Sequence, residues 1–127
     1  MLSHGVKVLD LAAETASITS ARDPERTART LARLDTLRLT LMSLKAGSKV
    51  MQHHTDHELC LHVVAGRISI HAPQQRFELP QGHLAVLERG LVHDIEASED
   101  SAILVTVGMW HREAERPRES DTPPAED

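Results

Sequence analysis

Residues 47 to 66 read GSKVMQHHTDHELCLHVVAG and hold His53, His54, His57 and His62, four of the chain's nine histidines. A fifth, His93, opens onto the alternating segment VHDIEA. Imidazole can transfer protons, form hydrogen bonds or ligate metal near neutral pH. Along an extended chain, residues of one parity share a face. His53, Thr55 and His57 share a parity that continues through Leu59, Leu61 and Val63 if the pairing is unbroken. His93 shares its parity with Ile95 and Ala97, so it points where apolar side chains point. A buried imidazole without a partner costs on the order of 1–3 kcal/mol. A hydrogen bond in the core is one such partner and a divalent metal is the other. Zinc, iron, copper and nickel all accept neutral imidazole.

The remaining histidines have plainer contexts. His4, His71, His83 and His111 are expected at the surface, and His62, opposite Leu61 and Val63, at a subunit contact. His54 has the opposite parity to His53, so both reach one ion only if the strand is distorted. Asp56 and Glu58 read as solvated turn acids, with a general-base role near the site mouth as the alternative. Met51 and Gln52 receive no role.

The elements that must position these residues are short strands. LRLTL, residues 37–41, alternates apolar and polar; the apolar phase then slips to Met42 and Leu44, which predicts a bulge. GRISIHA sets Ile68 and Ile70 against Arg67, Ser69 and His71. QRFELPQG pairs Phe77 with Leu79 before a turn, and HLAVLERG is a short strand ending in a glycine turn. SAILVTVGMW places Ile103, Val105, Val107 and Met109 on one side. Strands recurring at short intervals between Gly and Pro predict an all-β sandwich or barrel. Only PERTARTLARL leans towards helix by propensity.

A chain of 127 residues has the length of a single domain. Its net charge of −5 argues against nucleic acid held on a basic patch. Cys60 is the one cysteine, which excludes an intramolecular disulfide and a cysteine-based zinc cluster. MLSHGVKVLDLAAETAS lacks the basic and long apolar regions of a secretory signal, and no apolar run approaches a membrane span. The cytoplasm is the expected compartment. The last sixteen residues, REAERPRESDTPPAED, carry six acids and three arginines and are expected to lack fixed structure.

Two segments resemble the cupin superfamily, whose first motif is G-x5-H-x-H-x(3,4)-E-x6-G and whose second is G-x5-P-x-G-x2-H-x3-N. Gly47, His53 and Gly66 fit the first, with Thr55 at the second histidine and Leu59 at the glutamate. Gly82, Gly90 and His93 fit the second, with Glu88 at the proline and Ala97 at the asparagine. The similarity spans roughly residues 30 to 110. The resemblance implies an all-β fold, the cupin double-stranded β-helix, a jelly-roll-like barrel in one domain. It implies an N-terminal extension, partly ordered, over residues 1–28, the barrel over 29–111 and the tail over 112–127. It also implies that RTARTLARLDTLRLTLMSL is mostly extended, against its helical propensity, and that the chain forms a homodimer.

Cupin enzymes hold a divalent metal with two histidines and a glutamate from the first motif and a histidine from the second. Position by position, only His53 and His93 carry over. His57 shares parity with His53, and a small shift of the hairpin brings it in as a third ligand. The expected site is therefore His53, His57 and His93 around a divalent transition metal (zinc, iron, copper or nickel). With no anionic ligand, such an ion keeps its full charge and favours an anionic small molecule. Two functions follow: a metal-dependent oxygenase-type enzyme, or a non-catalytic binding module for a small molecule or metal. Nucleotide-sugar isomerase or epimerase chemistry is disfavoured, because the chain has no tyrosine, one phenylalanine and one tryptophan.

Overall fold

The computed structural model describes residues 5–20, 26–53 and 56–109. Among these described residues, one helix, α1 (Leu11–Thr19), precedes nine strands. These are β1 (Arg26–Arg33), β2 (Leu37–Leu44), β3 (Lys49–His53), β4 (Glu58–Ala65), β5 (Arg67–Ala72), β6 (Gln75–Pro80), β7 (Leu84–Leu87), β8 (His93–Ala97) and β9 (Ser101–Gly108). They form two sheets, ordered β1-β2-β9-β4-β7 and β3-β8-β5-β6.

Every pairing is antiparallel, and the pairings nest around the β5–β6 hairpin. Outward from it, β4 pairs with β7, β3 with β8 and β2 with β9. One long two-stranded ribbon is thus folded across both sheets, which is the jelly-roll arrangement that the resemblance implies. Arg26 to Arg33 of PERTARTLARL form β1, so pairing with β2 overrides the helical propensity of that segment.

The core lies between the sheets and is built by alternation. Leu59, Leu61 and Val63 of β4 and Ile68 and Ile70 of β5 enter it. Ile95 and Ala97 of β8 and Ile103 and Val107 of β9 do the same, with Val105 and Met109 packed alongside. Phe77 pairs with Ile70 and Leu79 with Ile68. Phe77 nevertheless stays exposed, because β6 is a sheet edge. Ser69, on the face opposite Ile68 and Ile70, is nevertheless buried. Its strand neighbours in register are Glu78 and Glu96, and its Oγ hydrogen-bonds His71 Nε2 at 3.1 Å. His71 is accordingly half-buried, not a freely solvated surface residue.

The bulge expected where Leu41 meets Met42 is absent. β2 runs in unbroken register against β9 from Leu37 to Leu44. The phase slips because both faces of β2 are covered: Met42 and Leu44 belong to the barrel core, while Leu39 and Leu41 meet α1. Asp10 caps that helix, its side chain accepting the Ala13 N–H at 3.1 Å. Ile18 of α1 packs with Leu31 and Leu41 in a second cluster outside the barrel. Arg29 of β1 pins the helix further, reaching Glu14 at 2.9 Å and Ser17 Oγ at 3.2 Å.

Register breaks occur in β1 between Thr30 and Ala32, in β3 between Val50 and His53, and in β4 between Val63 and Ala65. No helix among the described residues is long and apolar enough to cross a membrane. The expected tail over 112–127 lies outside the described residues.

Candidate functional site

Strand β8 carries His93 at its first position, and alternation turns His93, Ile95 and Ala97 inward as one buried set. His93 is 2% exposed, and its Nε2 is buried. Its Nδ1 lies 3.0 Å from the Leu91 carbonyl oxygen. A carbonyl only accepts, so Nδ1 bears a proton, and in the neutral ring the lone pair is on Nε2. That arrangement orients a metal-binding imidazole and makes it a better donor. The donor chemistry of His93 therefore fits a divalent metal.

The register of β3 bears on the second ligand. Val50 pairs with Ile95 and His53 with His93, so three steps along β3 match two along β8. The extra residue is a bulge. Without it, positions 50 and 53 would fall on opposite faces, since strand side chains alternate. With it, the backbones of His53 and His93 are directly opposed partners. The third expected ligand, His57, is half-buried in the bend that enters β4, with its Nδ1 buried. His54 and Thr55 lie outside the described residues. Among the described residues, no three His, Cys, Asp or Glu side chains gather as a metal-binding group.

The motif departures have structural counterparts. Leu59, at the expected glutamate position, is buried in the core and offers no donor atom. Asp56 and Glu58 are exposed, as solvated turn acids would be. His62 sits on the outer face of β4 beside the exposed Leu84 of β7. Cys60 is half-buried on the same face, and burial raises its thiol pKa above the ordinary value. At pH 8 it should react more slowly with an aromatic disulfide reagent in the folded protein than in urea. Equal rates in the two states would contradict that burial.

A cleft not evident in the sequence adjoins this region. It opens where β6 ends one sheet and β7 ends the other, and its volume is about 700 Å3. Ile70, Phe77, Leu79, Leu87 and Leu91 supply apolar wall, with Arg76, Glu78, His83 and Glu88 among the polar lining. His57 and His93 are not part of it. Leu91 connects the two places: its residue lines the cleft and its carbonyl holds His93.

No protein-family model matches the sequence, and no curated protein matches it. Solved structures do match in fold. A cupin superfamily protein from Desulfitobacterium hafniense superposes with a TM-score of 0.68 at 19% identity, covering 74% of this chain and 86% of its own. A cupin-2 domain protein from Shewanella frigidimarina gives 0.67 at 19% identity, covering 80% and 94%. A variant of salicylate 1,2-dioxygenase from Pseudoaminobacter salicylatoxidans, in complex with gentisate, gives 0.63 at 15% identity. That match covers 77% of this chain but 29% of the dioxygenase. Together with the nested ribbon and the two glycine-framed histidine segments, these superpositions show that the chain folds as a cupin barrel.

Proposed function

We propose that this protein holds a divalent transition metal inside the barrel through His53, His57 and His93 and handles a small organic molecule there. The observation that carries this is the buried His93 imidazole, whose Nδ1 is held by the Leu91 carbonyl so that Nε2 is the nitrogen left for a ligand in the neutral ring. The direct backbone opposition of residues 53 and 93 supports it. Bound there, the ion would supply Lewis acidity and, if redox-active, oxygen chemistry. The protein's own part is to fix the ring of His93 through the Leu91 carbonyl and to keep it away from water, as its 2% exposure does. The metal is zinc, iron, copper or nickel.

The enzymatic form of this reading is an oxygenase-type reaction on a small anionic molecule, and its support is a dioxygenase of the same fold in complex with gentisate. The non-catalytic form, a metal or small-molecule binder, is favoured by the loss of a donor at Leu59. Homodimer formation accompanies either form. Leu84 and Val86, both exposed on edge strand β7, would be sheltered by it.

Elemental analysis of untagged protein, beside His53→Ala and His93→Ala, tests the metal. The wild type should carry near-stoichiometric transition metal and each variant should lose it. The affinity should fall by more than the 10–100-fold typical of losing an outer-shell partner. Equal metal content in all three samples would overturn the assignment. Oxygen uptake by iron-loaded protein with a candidate substrate identifies the enzyme. A ligand-dependent rise in melting temperature without product identifies the binder.

A further inference from the structure

We propose that the cleft between the edges of β6 and β7 binds a small molecule with an apolar body and one cationic group, with Glu88 as its counter-charge. The volume, about 700 Å3, lies within the range of small-ligand sites. The wall formed by Ile70, Leu79, Leu87 and Leu91 is apolar and offers a compact hydrocarbon or ring more contact than water does.

The charge of the ligand follows from the charges around the cleft. Arg76 and Glu78 pair at 2.9 Å, and Arg67 approaches the same carboxylate at 3.7 Å, so Glu78 has no surplus charge to offer. Glu88, exposed in the lining, makes no ion pair among the described residues. With histidine counted neutral, Arg76, Glu78 and Glu88 give the lining itself a net −1; Arg67, outside the lining, adds a positive charge at Glu78 and not at Glu88, so the acid open to a cation is Glu88. An ammonium or amidinium group on an apolar body complements it; a carboxylate does not. Glu88 also occupies the position where the resembling motif has proline, so an acid stands here in place of a rigid neutral residue.

The cleft ligand differs in sign from the anionic molecule expected at the metal, and His93 is outside the cleft lining. The two sites are therefore separable, and the cleft is tested on metal-stripped, full-length protein. The probes are phenethylamine, 2-phenylethanol and phenylacetate, titrated calorimetrically at pH 8. Phenethylamine should bind about two- to five-fold more tightly than the neutral alcohol, as expected of an exposed charge pair. Phenylacetate should bind most weakly. Glu88→Gln, at an exposed position, should abolish the preference for the amine and leave alcohol binding unchanged. Phe77→Ser should weaken all three.

Equal affinity for the three probes, an unchanged preference in Glu88→Gln, or no amine binding without metal would each overturn the inference. Amine binding, together with an absence of transition metal from the untagged protein as purified, would instead leave the cleft standing and remove the metal reading.

Discussion

Gly66→Ala is expected to remove about 3 kcal/mol or more of folding stability, and Gly47→Ala only about 1 kcal/mol. Both glycines have left-handed backbone, with φ of +86° and +87°. An L residue there pays the same local strain, which is why the pair makes a controlled comparison. Around Gly47 an added Cβ meets nothing within 4 Å. At Gly66 it would overlap Ser101 Oγ and the Asp100 carbonyl oxygen and lie 2.7 Å from Ser101 Cα. Ser101 cannot step aside cheaply. It is buried, its Oγ accepts the Arg67 N–H at 2.9 Å, and its hydroxyl faces the Glu99 and Arg67 carbonyls at 2.7 and 3.1 Å. Relief requires moving backbone at the β4–β5 turn or breaking these bonds, each at a cost of roughly 1–3 kcal/mol. Urea unfolding followed by circular dichroism measures the difference, and the Gly66 variant should melt roughly 10 °C or more below wild type. Equal losses at the two glycines would show that the close approach at Ser101 contributes nothing.

The second large effect is expected outside the barrel. Leu41→Ala should cost about 3–4 kcal/mol, within the range for truncating a fully buried leucine. Leu41 is 0% exposed although it faces away from the barrel core, because Ile18 and Leu31 cover it. Ile18→Ala should cost about 2–3 kcal/mol by itself. The double variant should lose less than the two single losses combined, since both side chains line one contact. Independent, additive losses would mean that helix and sheet do not share that packing. A loss below about 0.5 kcal/mol for Ile18→Ala, the usual size of a surface effect, would mean that α1 is a loose appendage.

The strands were legible because each has one clear inward face. Ile68 and Ile70, Ile95 and Ala97, and Ile103, Val105 and Val107 alternate with polar or outward residues and all entered the core as read. Helix α1 went unread because its apolar face is thin. Ala, Thr and Ser dominate LAAETASIT, and Ile18 is its one buried residue. Asp10 before the run and Glu14 in its first turn were the available signals. That omission also explains the misplaced bulge. Leu39 and Leu41 alternate correctly for a face under a helix, while Met42 and Leu44 serve the face opposite. The true register breaks in β1, β3 and β4 depend on how neighbouring strands pair, and one strand's alternation does not encode that.

The candidate site divides in the same way. The inward direction of His93 follows from its parity with Ile95. The group that holds its ring is a main-chain carbonyl, and carbonyls are present at every residue, so Leu91 left no mark in the sequence. The cleft is made by two sheet edges meeting in space. Its apolar lining reads as ordinary core, and Glu88 showed only as a departure from a motif.

The nesting of the ribbon also bears on how the chain reaches its native state. Strand β9 lies between β2 and β4, so it joins the two parts of its sheet although it is the last of the described strands to be synthesised. Apart from the β5–β6 hairpin, each pairing within the ribbon closes a progressively longer loop, and such non-local topology slows folding to milliseconds or seconds. A chain still emerging from the ribosome can form the central hairpin early, but its larger sheet stays split until residues 101–108 arrive.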